Sequence, residues 1–202
     1  MVREEGGFQV GLAKFISAVL NTMSFALISF AILVFSKEFN ARRAAQLFSI
    51  SVLFASALPT LFIWSLARAG RVSGLYVPKR EERTLPLAGA LVSYTVGVTC
   101  LYVADAPPDI TGMMLAYSLN ALAALIISQF WKISLHAAGI TGPVTALVYS
   151  LGSCLAFLYL LVLPVGWSRV KLGDHDAGQV IGGALLMIPL TWAWMELSAV
   201  LF

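Results

Sequence analysis

An all-α bundle of membrane-crossing helices is the fold class this sequence predicts, and three observations carry it. Apolar residues fill 59% of the 202 positions and charged residues only 11%, against about a quarter charged in a soluble domain. The charges are also spaced. Uncharged runs of 22, 24, 21, 22, 36 and 19 residues separate Lys14 from Lys37, Arg43 from Arg68, Arg83 from Asp105, Asp109 from Lys132, Lys132 from Arg169 and Asp176 from Glu196. A bilayer core takes about 20 apolar residues per helix, so five of these windows each fit one crossing. Finally, no water-soluble domain is left over, because the longest polar connection runs only from about Arg68 to Thr84.

Taken in order, the first segment spans roughly 10–36. Its leader, "MVREEGGFQVGLAKF", is too acidic and too soon polar for a cleaved signal peptide, so the segment is expected to be retained. The second spans 44–69. The third, 85–105, has Pro86 in its first turn, where a missing N–H costs nothing. The fourth spans 110–131 and the last 178–201. The 36-residue window is either one tilted helix or two short ones. Gly152-Ser153 sits near its middle, while Gly139, Gly142 and Pro143 weaken its start and Pro164 its end. Each half would be about 14 residues, or roughly 21 Å of helix, which local thinning or burial in a bundle accommodates. One helix puts His136 and His175 on opposite membrane faces; a hairpin puts them on the same face. The count is therefore six to seven membrane segments in a single transmembrane domain over 1–202. Cys100 and Cys154 fall inside apolar windows and read as small core residues, not as a disulfide or metal pair. The net charge of +3 is too small and too scattered for nucleic acid. In a membrane protein it marks the cytoplasmic face or anionic lipid headgroups.

Three polar clusters interrupt this pattern. "VPKREERTLP" brings Lys79, Arg80 and Arg83 ahead of Pro86; "FWKISLHAAG" brings Ser134 and His136; "GWSRVKLGDHDAGQV" brings Ser168, Arg169 and His175. Each alone has an ordinary reading, as a solvated charge run, an interfacial histidine or a basic loop capping two helices. Together they say more, because the chain's two histidines both stand at helix ends beside a Ser or a Ser-Arg pair. Ionisable residues at membrane depth are functional candidates by default. Lys79, Arg83 and Arg169 can hold phosphoryl oxygens through charge-assisted, forked hydrogen bonds. One histidine can attack phosphorus and the other can protonate the leaving oxygen. Nothing resembles a carboxylate cage for Mg²⁺, so neither metal nor cofactor is expected, and the charge of the transition state falls to cationic side chains.

The order of the clusters resembles the type 2 phosphatidic acid phosphatase superfamily of integral-membrane lipid phosphatases. Ser168-Arg169, five residues, then His175 match its third motif; Ile133-Ser134-Leu135-His136 keeps the Ser and His of its second but lacks Pro and Gly. Lys79, Arg83 and Pro86 keep the order of its first in compressed form. The resemblance implies that the three motifs meet on one membrane face and that the long window folds as a hairpin split near Gly152. It implies seven segments, with 137–151 and 153–166 as the hairpin, the N-terminus on the face of the site and the C-terminus opposite. It further implies a metal-independent phosphatase. His175 would be the nucleophile that forms a phospho-histidine, and His136 the acid for the departing alcohol. Lys79, Arg83, Ser134, Ser168 and Arg169 would cradle the phosphate.

One departure matters. Four residues after His175 the family has Asp, where this chain has Gln179. Position i+4 lies on the same helix face, so Gln179 can accept a hydrogen bond from the ring, but it supplies no charge. Loss of the orienting Asp in a serine-protease triad costs about 10⁴-fold in rate, and an inactive relative is one reading of this change. Asp174 and Asp176, as immediate neighbours, should point elsewhere. Gly178, Gly182 and Gly183 suit close helix packing. Trp167, Trp192 and Trp194 suit interfacial anchors or lipid-facing bulk. Asn120 suits an interhelical hydrogen bond and Glu196 an interfacial position.

The expected substrate is a lipid or polyprenyl phosphate or diphosphate whose tail enters from the bilayer, with membrane lipids as further partners and a homo-oligomer left open. The alternative is a non-catalytic membrane protein, a small transporter or assembly subunit, whose basic face binds anionic lipid. The expected location is the cell membrane, as a multi-pass protein. Basic residues at 68–83, 132 and 169–171 outnumber those at 37–43, which by the positive-inside rule points the site to the cytoplasm. Many members of the family work on the outer face, and the balance leans to the extracytoplasmic side.

Overall fold

A computed structural model describes residues Val2 to Phe202 and contains no strand among them. Met1 and the side chains of residues 2–6, the acidic Glu4-Glu5 pair included, lie outside the described residues. The helices are α1 (Val2–Val19), α2 (Thr22–Phe35), α3 (Ala41–Val52), α4 (Leu58–Arg68), α5 (Thr84–Val103), α6 (Pro108–Ile127), α7 (Leu135–Leu151), α8 (Val162–Lys171) and α9 (Ala177–Leu201). Five spans are long and apolar enough to cross a bilayer, or six if the bent pair α1–α2 is one span. The chain is an all-α, multi-pass helical bundle, as its charge spacing predicts.

The first segment departs from the expected single crossing over 10–36. It breaks at Leu20-Asn21 and bends by 49°. The cause is local: Asn21 Oδ1 accepts from the N–H groups of Met23 and Ser24, both at 2.9 Å, and so starts a new helix. α1 then runs beside the end of α8, with Gln9 accepting from Lys171 Nζ and Ser17 accepting from Arg169. The second segment is one 28-residue rod from Ala41 to Arg68 with a π-helical turn at Leu53–Ala57, where Leu58 N–H reaches back to the Leu53 carbonyl. That wider turn precedes Pro59, whose ring would crowd the carbonyl four residues back in a regular helix.

The long window splits where the hairpin reading puts it. α7 ends at Leu151, Gly152 takes φ +102°, which favours glycine, and a 3₁₀ run from Ser153 to Leu161 leads into α8. α7 is short because it is a central post. Every residue from His136 to Leu147 is buried, against α2, α6 and α9. Small residues let neighbours approach, and a Cβ on Gly139 would collide with the Thr22 side chain. The main core, built on Phe30, Leu33, Leu47, Met113, Met114, Leu147 and Met195, lies where α2, α3, α5, α6, α7 and α9 meet.

Some smaller expectations change. Cys154 is exposed beside the hairpin turn and Cys100 half-buried, so neither is a core residue, and both are free thiols. Trp194 is not lipid-facing bulk alone, because its Nε1 donates to Asn120 Oδ1 at 3.2 Å while Asn120 Nδ2 donates to Thr191 Oγ1 at 2.7 Å. Asn120 thus makes the expected interhelical bonds.

If the Asn21 cap holds the bend, Asn21→Ala should lower stability by about 1 kcal/mol. The reading is the unfolding midpoint in detergent; an unchanged midpoint would mean that packing alone sets the angle.

Candidate active site

Four helix ends build the site. At the start of α5, a loop closed by Glu82 delivers Arg83. Glu82 accepts from Ser73 N–H and Oγ–H, both at 2.6 Å, and these donors, with Lys79 at 3.2 Å, hold its carboxyl below the usual range. Arg83 folds inward, 2% exposed, with Nη1 donating to the Ile133 carbonyl at 2.8 Å and Nε directed at the Val77 carbonyl at 3.5 Å. Val77 is held at φ +42°, an uncomfortable conformation for a β-branched residue, and its carbonyl thereby faces Arg83.

At the start of α7, Ser134 is the N-cap: its Oγ accepts from Ala137 N–H at 3.4 Å, and its own N–H donates to the Gln179 carbonyl at 3.0 Å. His136 follows, 7% exposed, with its ring edge against Tyr76 at 5.5 Å between centroids. Its Nε2 has no hydrogen-bond partner.

At the end of α8, Arg169 is 2% exposed. Its Nη2 pairs with Asp174 at 2.9 Å and its Nη1 donates to Ser17 Oγ at 2.6 Å, while Nε has no partner. The chain then turns through Gly173, at φ +72°, so that the N–H groups of Asp174 and His175 both point at the Arg169 carbonyl. Asp176 caps α9 by accepting from Gln179 N–H at 2.8 Å. This cap sets the first turn, and the turn brings Gln179 Oε1 within 2.9 Å of His175 Nδ1.

These contacts define the tautomer of His175. Guanidinium only donates, and Arg83 Nη2 lies 3.3 Å from His175 Nε2. Nε2 is therefore the acceptor, and Nδ1 carries the proton that Gln179 Oε1 accepts. A neutral imidazole with an inward-facing Nε2 lone pair is the form a nucleophile needs. Burial foremost, then Arg83, Lys132 and Arg169, push the His175 imidazole down to about 4, against a smaller opposing pull from Gln179. Burial and the nearby Arg169 lower Arg83 to about 10, still charged at neutral pH.

The structure gathers Arg83, Ser134, His136, Arg169, His175 and Gln179, drawn from sequence positions 83 to 179. His136 lies within electrostatic range of Arg169, His175 and Arg83. Two expected phosphate ligands are not gathered. Lys79 is paired with Glu82 and its side chain is 65% exposed, at the rim of an open bowl. Ser168 is buried but donates to the Val165 carbonyl at 2.7 Å within its own helix, so its proton is committed elsewhere. Gly178 also departs from the packing expected of it, meeting only Asp176, whereas Gly183 abuts Ser134 and Gly182 abuts Trp131.

Three contributors had gone unassigned. Lys132 donates to the Asp174 carbonyl at 2.7 Å and adds positive charge near His175. Its signal was visible, as the lysine two positions before Ser134. Ser17 and Asp174 hold Arg169 from either side, and Ser17, inside an apolar helix, carried no signal at all. A cavity of about 150 Å³ leads from Arg83 and His136 into the bundle. Among the described residues no group of three or more His, Cys, Asp or Glu side chains gathers as metal ligands do.

No family model, curated protein or solved structure matches the chain.

Two outcomes test the geometry. A Cβ at position 183 would stand 2.7 Å from the Ser134 carbonyl oxygen, so Gly183→Val should cost about 1–3 kcal/mol and part α9 from α7. Stability in detergent reads this, and a neutral result would remove the tight junction. For His175, the folded value lies below the unfolded 6.5, so between pH 6.5 and about 4 the unfolded chain binds more protons. Its contribution to stability is whole above pH 6.5 and falls as pH drops through that window. Imidazole NMR should give a midpoint well below 6.5 that rises when inorganic phosphate is added; an ordinary midpoint would contradict the buried contact with Arg83.

Proposed function

We propose that this chain is an integral-membrane phosphatase that hydrolyses a lipid phosphate through a phospho-histidine intermediate, in the manner of the type 2 phosphatidic acid phosphatases it resembles. The observation that carries the reading is the orientation of His175, with Nδ1–H held by Gln179 and the Nε2 lone pair turned inward beside Arg83. A location in the cell membrane, with the phosphate at the extracytoplasmic boundary, belongs to the same proposal.

In this mechanism a phosphate enters between Arg83 and His175 and replaces their direct contact. Arg83, Arg169 and Lys132 neutralise its oxygens, and the Ser134 hydroxyl donates to one of them. His136 Nε2 takes a proton from the entering phosphate monoanion. His175 Nε2 then attacks phosphorus, the bond to the lipid oxygen breaks, and His136 passes that proton to the departing alcohol. A water, deprotonated by His136, then attacks the phosphorus. The N–P bond breaks, phosphate leaves with the proton that His136 took from the water, and His175 returns to its neutral form with Nδ1–H still on Gln179. Gln179 orients the ring without offsetting its growing charge, so a carboxylate there should speed the nucleophilic step.

A second reading, a binding protein for anionic lipid, is favoured by the missing carboxylate at Gln179 and by Lys79, Arg80 and Lys132 around the open bowl.

The test is phosphate release from a panel of lipid phosphates in detergent with a chelator present. Wild type should release phosphate, His175→Ala should lose it to background, and His136→Ala should fall about 10²–10⁴-fold. Gln179→Asp should raise the rate. Equal release by all variants would remove the assigned roles, and no release from any lipid would leave the binding reading.

A further inference from the structure

The geometry points to a substrate with a single hydrocarbon chain, held in the cavity that opens beneath the site. This rests on the phosphatase reading and narrows its substrate class. The cavity has about 150 Å³ of room, begins at Arg83 and His136, and runs down between α5, α6 and α7. Its walls are set by small residues, Ala90 on α5, Ala121 on α6 and Gly139 on α7. Tyr94 and Tyr117, whose rings meet edge-to-face at 5.5 Å and which are themselves buried, line it part-way down, and Met113 lines it one turn deeper on α6.

Two quantities decide what fits. From Ala124 to Met113 the wall follows three turns of helix, so the slot is about 16 Å deep. An apolar cavity of about 150 Å³ admits one benzene ring. Spread over that depth, the same room takes one chain abreast and leaves none for a second. The mouth supplies an independent sign of a ligand: His136, 7% exposed, presents a polar atom without a protein partner, on the same cavity that Arg83 lines. A buried polar group without a partner is costly, and a phosphate on a chain seated in the slot would satisfy it.

The test uses the full-length protein in detergent with three substrates: ethyl phosphate, dodecyl phosphate and a phosphatidate with two dodecanoyl chains. Wild type should show a kcat/KM for dodecyl phosphate at least tenfold above that for the two-chain lipid. Ala90→Leu places three carbons in the slot and should lower the dodecyl-to-ethyl ratio at least tenfold, a ratio that does not depend on how much variant folds. Equal turnover of one-chain and two-chain lipids, or an unchanged ratio in the variant, overturns the slot and leaves the phosphatase reading intact. Phosphate release from none of the three overturns both.

Discussion

Gln179 ties the start of α7 to the start of α9, two helices that also pack along their lengths through Ala137, Ala138, Val180, Ala184 and Met187. Its backbone carbonyl takes the N–H of Ser134, the cap of α7, and its side chain takes Nδ1–H of His175. One residue therefore sets the separation between the two halves of the candidate site, one histidine lying just beyond each contact. The junction depends on Gly183, one turn further along α9, where the Ser134 backbone leaves no space for a side chain. A main-chain bond is indifferent to side-chain charge, so the junction does not depend on a carboxylate at 179. Only the electrostatics of the ring do.

Those electrostatics balance differently from a histidine-carboxylate pair. Arg83, Arg169 and Lys132 surround the ring, and Asp174 is already spent on Arg169. A second carboxylate would steady a positive imidazole but would also weaken the field that attracts an anion. With Gln179 neutral, the cluster stays cationic. Under the proposed function this favours phosphate binding at the expense of the nucleophilic step.

Much of the bundle was legible because charge spacing reports membrane thickness directly. Gly152 left the long window open between one helix and two, and the family resemblance, not periodicity, favoured the hairpin. The bend at Asn21 was not legible, because a single capping amide is a weak signal inside a run of 22 uncharged residues. The site shows the same division. His175 and Gln179 stand four apart at a helix start, so their contact follows from helix geometry. Lys79 failed because the nearer Glu82 claims it, a competition invisible without the loop's fold. Ser168 failed because a serine in a helix commonly bonds its own backbone. Ser17 was out of reach, since its partner Arg169 lies 152 positions away.

The enclosure of α7 has a mechanical consequence. From His136 to Leu147 the helix is buried within the bundle, its one open side facing the internal cavity, so it is shielded from the surrounding bilayer. Thicker or thinner bilayers press on the outer helices, which can tilt to adjust, while the inner column keeps its length and pitch. The imidazole at its tip is thereby insulated from changes in lipid composition that would shift a residue carried on an outer wall.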